Sequence, residues 1–194
     1  MENNFKQNIE DLFNHKFNMS SSRLIMDQIV PEDLDSIFEI FGDEKVTEFT
    51  DFTTRESKEH AKKIVDYFIK CYHDKEQYRF AIREIDSKKL VGTLGLFSVS
   101  EINRMAEIGF ELNQSYWRKG YMTEALSLFV NFYFYTLKGH RIEAVVTPGN
   151  DSSCVVLQKI GFVKEGVFRE RDFFKNAFWD GIVFGILEKD LLKE

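Results

Sequence analysis

The chain has 194 residues, 43% of them hydrophobic and 20 of them Phe, enough apolar side chain for one sizeable core and one main domain. A net charge of −6 and a pI near 5.4 give no basic footprint for nucleic acid or an anionic membrane. No membrane-length apolar run and no secretory signal pattern stand out, so a cytoplasmic location is expected.

Phe5, Ile9, Leu12, Phe13 and Phe17 recur at helical spacing, and residues 1–20 read as an amphipathic helical extension. It either docks on the main body, roofs a cleft or mediates self-association. Arg23 to Ile29 alternates as a strand, and Pro31-Glu32-Asp33 opens a helix striped by Leu34, Ile37, Phe38 and Phe41. A polar loop with aromatics, Phe49 to Ser57, could line a cleft. Glu56 to Tyr72 then returns to helical spacing. Tyr78 to Ile85 and Lys89 to Phe97 read as paired strands, with Gly92 and Gly95 marking a bulge or a close approach. Ala106 to Leu112 is a further strand with Glu107, Gly109 and Glu111 on one face. Those two carboxylates either face solvent, pair with neighbouring cations or do chemistry.

Ser115 to Ala125, reading Ser-Tyr-Trp-Arg-Lys-Gly-Tyr-Met-Thr-Glu-Ala, joins that strand to a long apolar helix. A helix start carries about half a positive charge and N–H groups without intrahelical partners, so the junction suits an anionic cofactor. Leu126, Phe129, Val130, Tyr133 and Phe134 make one apolar face of this helix; Leu128, Phe132 and Tyr135 make a second. That second stripe and the Phe-rich extension leave surface that a homodimer would cover. An inner strand runs from Arg141 to Thr147, a helix from Asp151 to Ile160, and two final strands over Phe162 to Phe173 and Phe178 to Leu187. Their turn, Lys175-Asn176-Ala177, has no glycine.

Chemistry is narrowed by what is missing. Cys71 and Cys154 fit no Cys-x-x-Cys pair, and four His show no ligand spacing, so no metal site is expected. Cys154 sits near a helix start, which would favour a thiolate, but its neighbours Val155, Val156 and Leu157 read as core, which favours an inert thiol.

Three patterns in this order carry a resemblance: Arg23-Leu24-Ile25-Met26 with Pro31-Glu32-Asp33 and Val46-Thr47; Ala106-Glu107-Ile108-Gly109-Phe110 leading into Tyr116 to Ala125; and Asn150-Asp151-Ser152-Ser153 followed by Lys159-Ile160-Gly161-Phe162. From Ser20 to the C-terminus the chain resembles the GCN5-related N-acetyltransferases (GNAT), in particular their ribosomal-protein-alanine N-acetyltransferase-like branch. The resemblance implies an α/β fold over residues 21–194, the GNAT acyl-CoA N-acyltransferase fold: a mixed, mostly antiparallel central sheet flanked by helices and splayed between the fourth and fifth core strands. The family's pyrophosphate loop ends on a small residue; Met122 stands there instead.

It also implies transfer of an acetyl group from acetyl-CoA to a primary amine, by direct attack in a ternary complex with no metal. The expected acceptor is the N-terminal α-amine of a ribosomal or other protein. Alternatives are a small amine (polyamine, amino acid or drug) or a non-catalytic CoA-sensing module. Backbone groups of Arg118, Lys119, Gly120, Tyr121, Met122 and Thr123 would hold the pyrophosphate, and those of Phe110, Glu111 and Leu112 the pantetheine arm. Glu107 would draw off the amine proton. Ser153, with Asn150 beside it, would meet the cofactor sulfur.

Overall fold

A computed structural model of the chain describes residues 4–15, 17–54 and 57–193. The first three residues of the extension, and Glu56 as a helix start, lie outside them. The strands are β1 (Met19–Ser20), β2 (Leu24–Gln28), β3 (Tyr78–Glu84), β4 (Leu90–Ser100), β5 (Met105–Leu112), β6 (Arg141–Val146), β7 (Val163–Phe174) and β8 (Ala177–Leu187). They form one sheet in the order β1-β2-β3-β4-β5-β6-β8-β7, antiparallel throughout except where β5 meets β6. The helices are α1 (Phe5–Asn14), α2 (Leu34–Phe41), α3 (Glu44–Thr47), α4 (Lys58–His73), α5 (Tyr121–Asn131) and α6 (Asp151–Ile160).

Both faces of the sheet are covered. Tyr78, Phe80 and Ile82 point to a core shared with Phe5, Leu12, Leu126, Phe129 and Leu157, from α1, α5 and α6. Ala81 and Leu90 join the opposite core, built from Ile37, Ile40 and Phe41 of α2 and Ala61, Ile64, Val65 and Phe68 of α4. Period-2 side-chain alternation along β3 therefore serves two layers at once. Arg83 on the same strand pairs with Asp27 at 2.7 Å and with buried Asp33, whose Oδ2 also accepts from the Val30 N–H.

The extension docks on the core. Phe5 meets Tyr133 with ring centroids 5.9 Å apart, Phe17 meets Phe132 at 5.6 Å, and the Asn8 amide donates to the Thr136 and Leu137 carbonyls. Phe17 and Phe132 thus cover part of the second stripe from within the chain. After Asn131 the helix widens into a π turn over Phe132–Thr136, with Leu137 N–H bonded to Phe132 O at 3.0 Å.

The β7–β8 turn takes the conformation glycine usually supplies. Lys175 and Asn176 both have positive φ, 51° and 59°, so the hairpin closes through two residues. Lys175 Nζ is tied across the molecule to the carbonyls of Thr47 at 2.6 Å and Glu48 at 2.9 Å.

One feature positions the site. The β5–β6 pairing runs from Met105↔Arg141 to Ile108↔Ala144 and stops there. Beyond it Gly109 to Leu112 and Val145 to Val146 diverge. With β2 counted first, this is the splay between the fourth and fifth core strands.

Candidate active site

Strand phasing decides which backbone groups face the gap. Asn113 N–H donates to Val91 O at 2.8 Å, and the β4–β5 register is unbroken from Gly92↔Leu112 to Phe97↔Glu107. By antiparallel alternation, Glu111 and Gly109 also turn their N–H and C=O groups toward β4, while Phe110 and Leu112 turn theirs toward β6. Phe110 therefore presents free backbone groups to the opening. Leu112 O is taken by Trp117 Nε1 at 2.8 Å, leaving its N–H. Glu111, expected to offer its backbone, turns it toward Thr93, and its side chain pairs with Arg79.

A cavity of about 830 Å³ lies on one side of the gap. Phe110, Glu111, Leu112, Arg118, Gly120, Tyr121, Met122, Thr123, Asn150 and Ser153 line it; Lys119 does not. Gly120 stands at φ +81° directly before α5, a left-handed conformation that costs an L residue about 1–2 kcal/mol. The first intrahelical bond joins Glu124 N–H to Gly120 O, and no side chain caps the helix. The N–H groups of Tyr121, Met122 and Thr123 are thus left for a ligand. The Met122 side chain is 6% exposed and belongs to the core. It stands where the family keeps a small residue, and it is mostly packed inward while still lining the cavity.

The loop is braced by a residue 101 positions from its partner. Glu124 Oε1 accepts from Ser21 Oγ at 2.7 Å, Ser22 Oγ at 3.1 Å and Arg23 N–H at 3.0 Å, and Oε2 from Arg23 Nε at 2.7 Å. Burial pushes this carboxyl up, yet the bonds from Ser21 and Arg23 outweigh it and hold it below the usual range. Arg23 also donates to Lys119 O at 3.1 Å and lies 4.4 Å from the Tyr121 ring centroid.

A second cavity, of about 860 Å³, opens on the α4 side of the sheet. Its carboxylates are Asp51, Glu76, Glu107, Glu111 and Asp172, against the guanidiniums Arg79 and Arg171. Glu107 accepts from Arg171 Nη2 at 3.2 Å; buried Glu111 accepts from Arg79 Nη1 at 3.2 Å and Thr93 Oγ1 at 2.7 Å. Both carboxylates of the β5 face are therefore ion-paired, and both line a cavity. The two cavities share Phe49, Thr50, Phe110, Glu111, Asn150 and Ser153. Asn150 caps α6, accepting from Ser153 N–H at 3.2 Å. The loop through Phe49 is pinned over the junction by Thr147 Oγ1, which donates to Phe49 O at 3.1 Å.

Cys154 lines neither cavity. Burial, then the nearby Asp151 carboxylate, pushes its thiol up, the opposite of what a nucleophile needs. Among the described residues no cluster of His, Cys, Asp and Glu could hold a metal ion, and no helix is long and apolar enough to cross a membrane.

An uncapped helix start beside a gap in a sheet, with free strand N–H groups along it, has the donors that suit an extended phosphorylated ligand. The Acetyltransferase (GNAT) domain matches residues 23–163. The uncharacterized N-acetyltransferase YoaA of Bacillus subtilis is 35% identical over 170 residues, 88% of this chain and 96% of that protein. Two of the solved structures that share the fold are named for their acceptors. Ribosomal-protein-S5-alanine acetyltransferase from Vibrio fischeri has a TM-score of 0.74 at 21% identity over 90% of this chain and 98% of that one. Spermidine N-acetyltransferase from Vibrio cholerae, in complex with CoA and spermine, has 0.76 at 22% over 89% and 100%. The chain belongs to the GNAT acetyltransferase family. It is an N-acetyltransferase that uses acetyl-CoA.

Proposed function

We propose that this enzyme passes the acetyl group directly to the N-terminal α-amine of a protein, ribosomal proteins being the expected class, with both substrates bound at once. The supporting observation is that the two cavities meet at six shared residues, so a donor in one and an amine in the other come together without a covalent relay.

Bound acetyl-CoA supplies an acetyl group as a thioester, an acyl donor toward amines. The N–H groups of Arg118 to Thr123 hold its diphosphate, with the Arg118 and Lys119 side chains screening charge from outside. Phe110 and Leu112 line its arm as an adjacent strand would. Phe110 N–H is the backbone donor available to a carbonyl oxygen gaining negative charge. Ser153, whose hydroxyl makes no hydrogen bond among the described residues, is placed to donate toward a departing sulfur. Glu107 takes the proton from the ammonium, directly or through one water. An α-amine with a pKa near ~7.8 costs only about 1 kcal/mol to deprotonate at pH 7, against about 4.6 for a lysine-like amine near ~10.4.

A small polyamine is the second reading, favoured by the acid surplus of the cavity, five carboxylates against two guanidiniums. The experiment is acetyl-CoA consumption with peptides beginning in Ser, Ala or Thr, run beside an amine panel. Peptide turnover is expected. Turnover of polyamines alone would replace the acceptor; tight acetyl-CoA binding without turnover of any amine would make the chain a sensor. Comparing cellular ribosomal-protein N-termini by mass spectrometry, with and without the protein, then identifies the acceptor.

A further inference from the structure

Arg79 on β3 lines the α4-side cavity yet is only 6% exposed. A guanidinium carries five N–H donors. Among the described residues only Nη1 finds acceptors, Glu111 Oε2 at 3.2 Å and Gly109 O at 3.4 Å, and Nε has none. The group is held in place by the Phe68 ring, 4.6 Å from its centroid, and that of Phe52 at 5.9 Å. Nε is sealed from solvent, but Nη2, which also has no acceptor among the described residues, is not, so a ligand oxygen in the cavity finds an unsatisfied donor there.

The strand beneath makes room for this arrangement. Gly95 lies opposite Arg79 in the register, and a Cβ there would stand 2.9 Å from Arg79 Nη1 and 3.0 Å from Gln77 Nε2. Gln77 lines the same cavity, and its amide has no partner among the described residues. Two side-chain donors thus converge over a glycine, on the sheet face that also carries Glu107 and Glu111.

We infer that Arg79 and Gln77 form a subsite for the first carbonyl oxygen of the acceptor, so that the enzyme reads an aminoacyl amide and not a bare alkylamine. This rests on the acetyl-transfer reading above and makes its acceptor more specific. A polyamine brings only N–H groups and leaves both donors unused. An N-terminal residue brings an ammonium for the carboxylates and, two bonds from the nitrogen-bearing carbon, a carbonyl oxygen for the donors. Charge separates an amide from a free amino acid. Glu111 already neutralises Arg79, and a further carboxylate would enter a cavity with three more carboxylates than guanidiniums; an amide oxygen adds no charge.

The test uses the full chain with four acceptors: alanine amide, free alanine, isopropylamine, which keeps the amine and methyl group but has no carbonyl, and spermidine. Wild type should use alanine amide at least tenfold better in kcat/KM, per free-base amine, than the other three. Arg79→Lys, which leaves Glu111 a cation, and Gln77→Leu should each lower the alanine amide to isopropylamine ratio about tenfold. Comparing variant with wild type cancels the difference in amine basicity. Calorimetric binding of alanine amide to the CoA-loaded protein should weaken in the same proportion. Equal use of amide and isopropylamine by wild type, or a ratio unmoved in both variants, overturns the subsite. Should Arg79→Lys fail to fold by thermal melting, Gln77→Leu alone decides. If no amine is acetylated, the transfer reading fails, and the binding comparison still decides the subsite.

Discussion

Replacing Glu124 with Gln isolates the brace on the loop that leads into α5. The substitution keeps the shape of the side chain but turns one oxygen into an NH2 facing donors it formerly accepted from. The Glu124 side chain is 18% exposed and that of Arg23 43% exposed, so water recovers part of what is lost. Hydrogen bonds to a charged group contribute about 1.5–3 kcal/mol when buried; exposure on the arginine side reduces the expected loss to about 1–2 kcal/mol. For a chain of this size that is a Tm drop of about 2–8 °C. If the brace holds the loop in its ligand-ready shape, the same 1–2 kcal/mol appears as a five- to thirtyfold weaker Kd for CoA, at about 1.4 kcal/mol per decade. Scanning calorimetry reads the first quantity and titration calorimetry with CoA the second. A variant with the expected Tm drop but unchanged CoA affinity would show that Glu124 holds β2 to α5 without shaping the loop. No change in either would show that these bonds carry no net energy.

Glu107→Gln should lower kcat/KM about tenfold at pH 7 with an α-amine acceptor, with the loss shrinking toward pH 9 as the amine deprotonates itself; a pH–rate profile identical to wild type removes Glu107 as the base. Gly120→Ala forces a left-handed residue to carry a Cβ, at about 1–2 kcal/mol, and should weaken CoA binding about tenfold; unchanged binding by titration would mean the loop does not need that conformation. Acid should destabilise the protein in a definite window. The Glu124 carboxyl is held below its ordinary value by Ser21 and Arg23 against the pull of burial, and that of Glu165 by Arg141. Their folded pKa values lie below an unfolded value near ~4.3, so this contribution is complete above about pH 5 and is lost as pH falls through the folded values. Tm measured from pH 6 to pH 3 should fall below pH 5 and fall less in Glu124→Gln; parallel curves would assign the acid sensitivity elsewhere.

The uncapped start of α5 after β5 was readable from sequence because it depends on backbone at a strand–helix junction, which local pattern reports directly. The inward direction of Met122 was readable too: running the stripe of Ala125, Leu126 and Phe129 back one turn places it on the core face. The ion pairs were not. Glu107 with Arg171, Glu111 with Arg79 and Glu124 with Arg23 join residues 64, 32 and 101 positions apart, and no local period reports such partners. β1 and α3 escaped notice because two and four residues carry too little periodicity. Which backbone groups of β5 face the gap depends on strand phase, set by one bond between Asn113 and Val91. That bond moves Glu111 from a backbone role to a side-chain one.

The short β5–β6 ladder has a mechanical consequence. β1 to β5 form one plate, and β6, β8 and β7 a second. The seam between them is four residue pairs long, Met105↔Arg141, Ala106↔Ile142, Glu107↔Glu143 and Ile108↔Ala144. Two rivets reinforce it on the loop side, from Thr147 to Phe49 and from Lys175 to Thr47 and Glu48. Arg171 rides on one plate and its partner Glu107 on the other. A ligand that occupies the free N–H groups of Phe110 and Leu112 adds the rungs the seam lacks, becoming a structural member of the sheet. The angle between the plates, and with it the spacing between Glu107 on one and Arg171 on the other, then depends on what fills the gap.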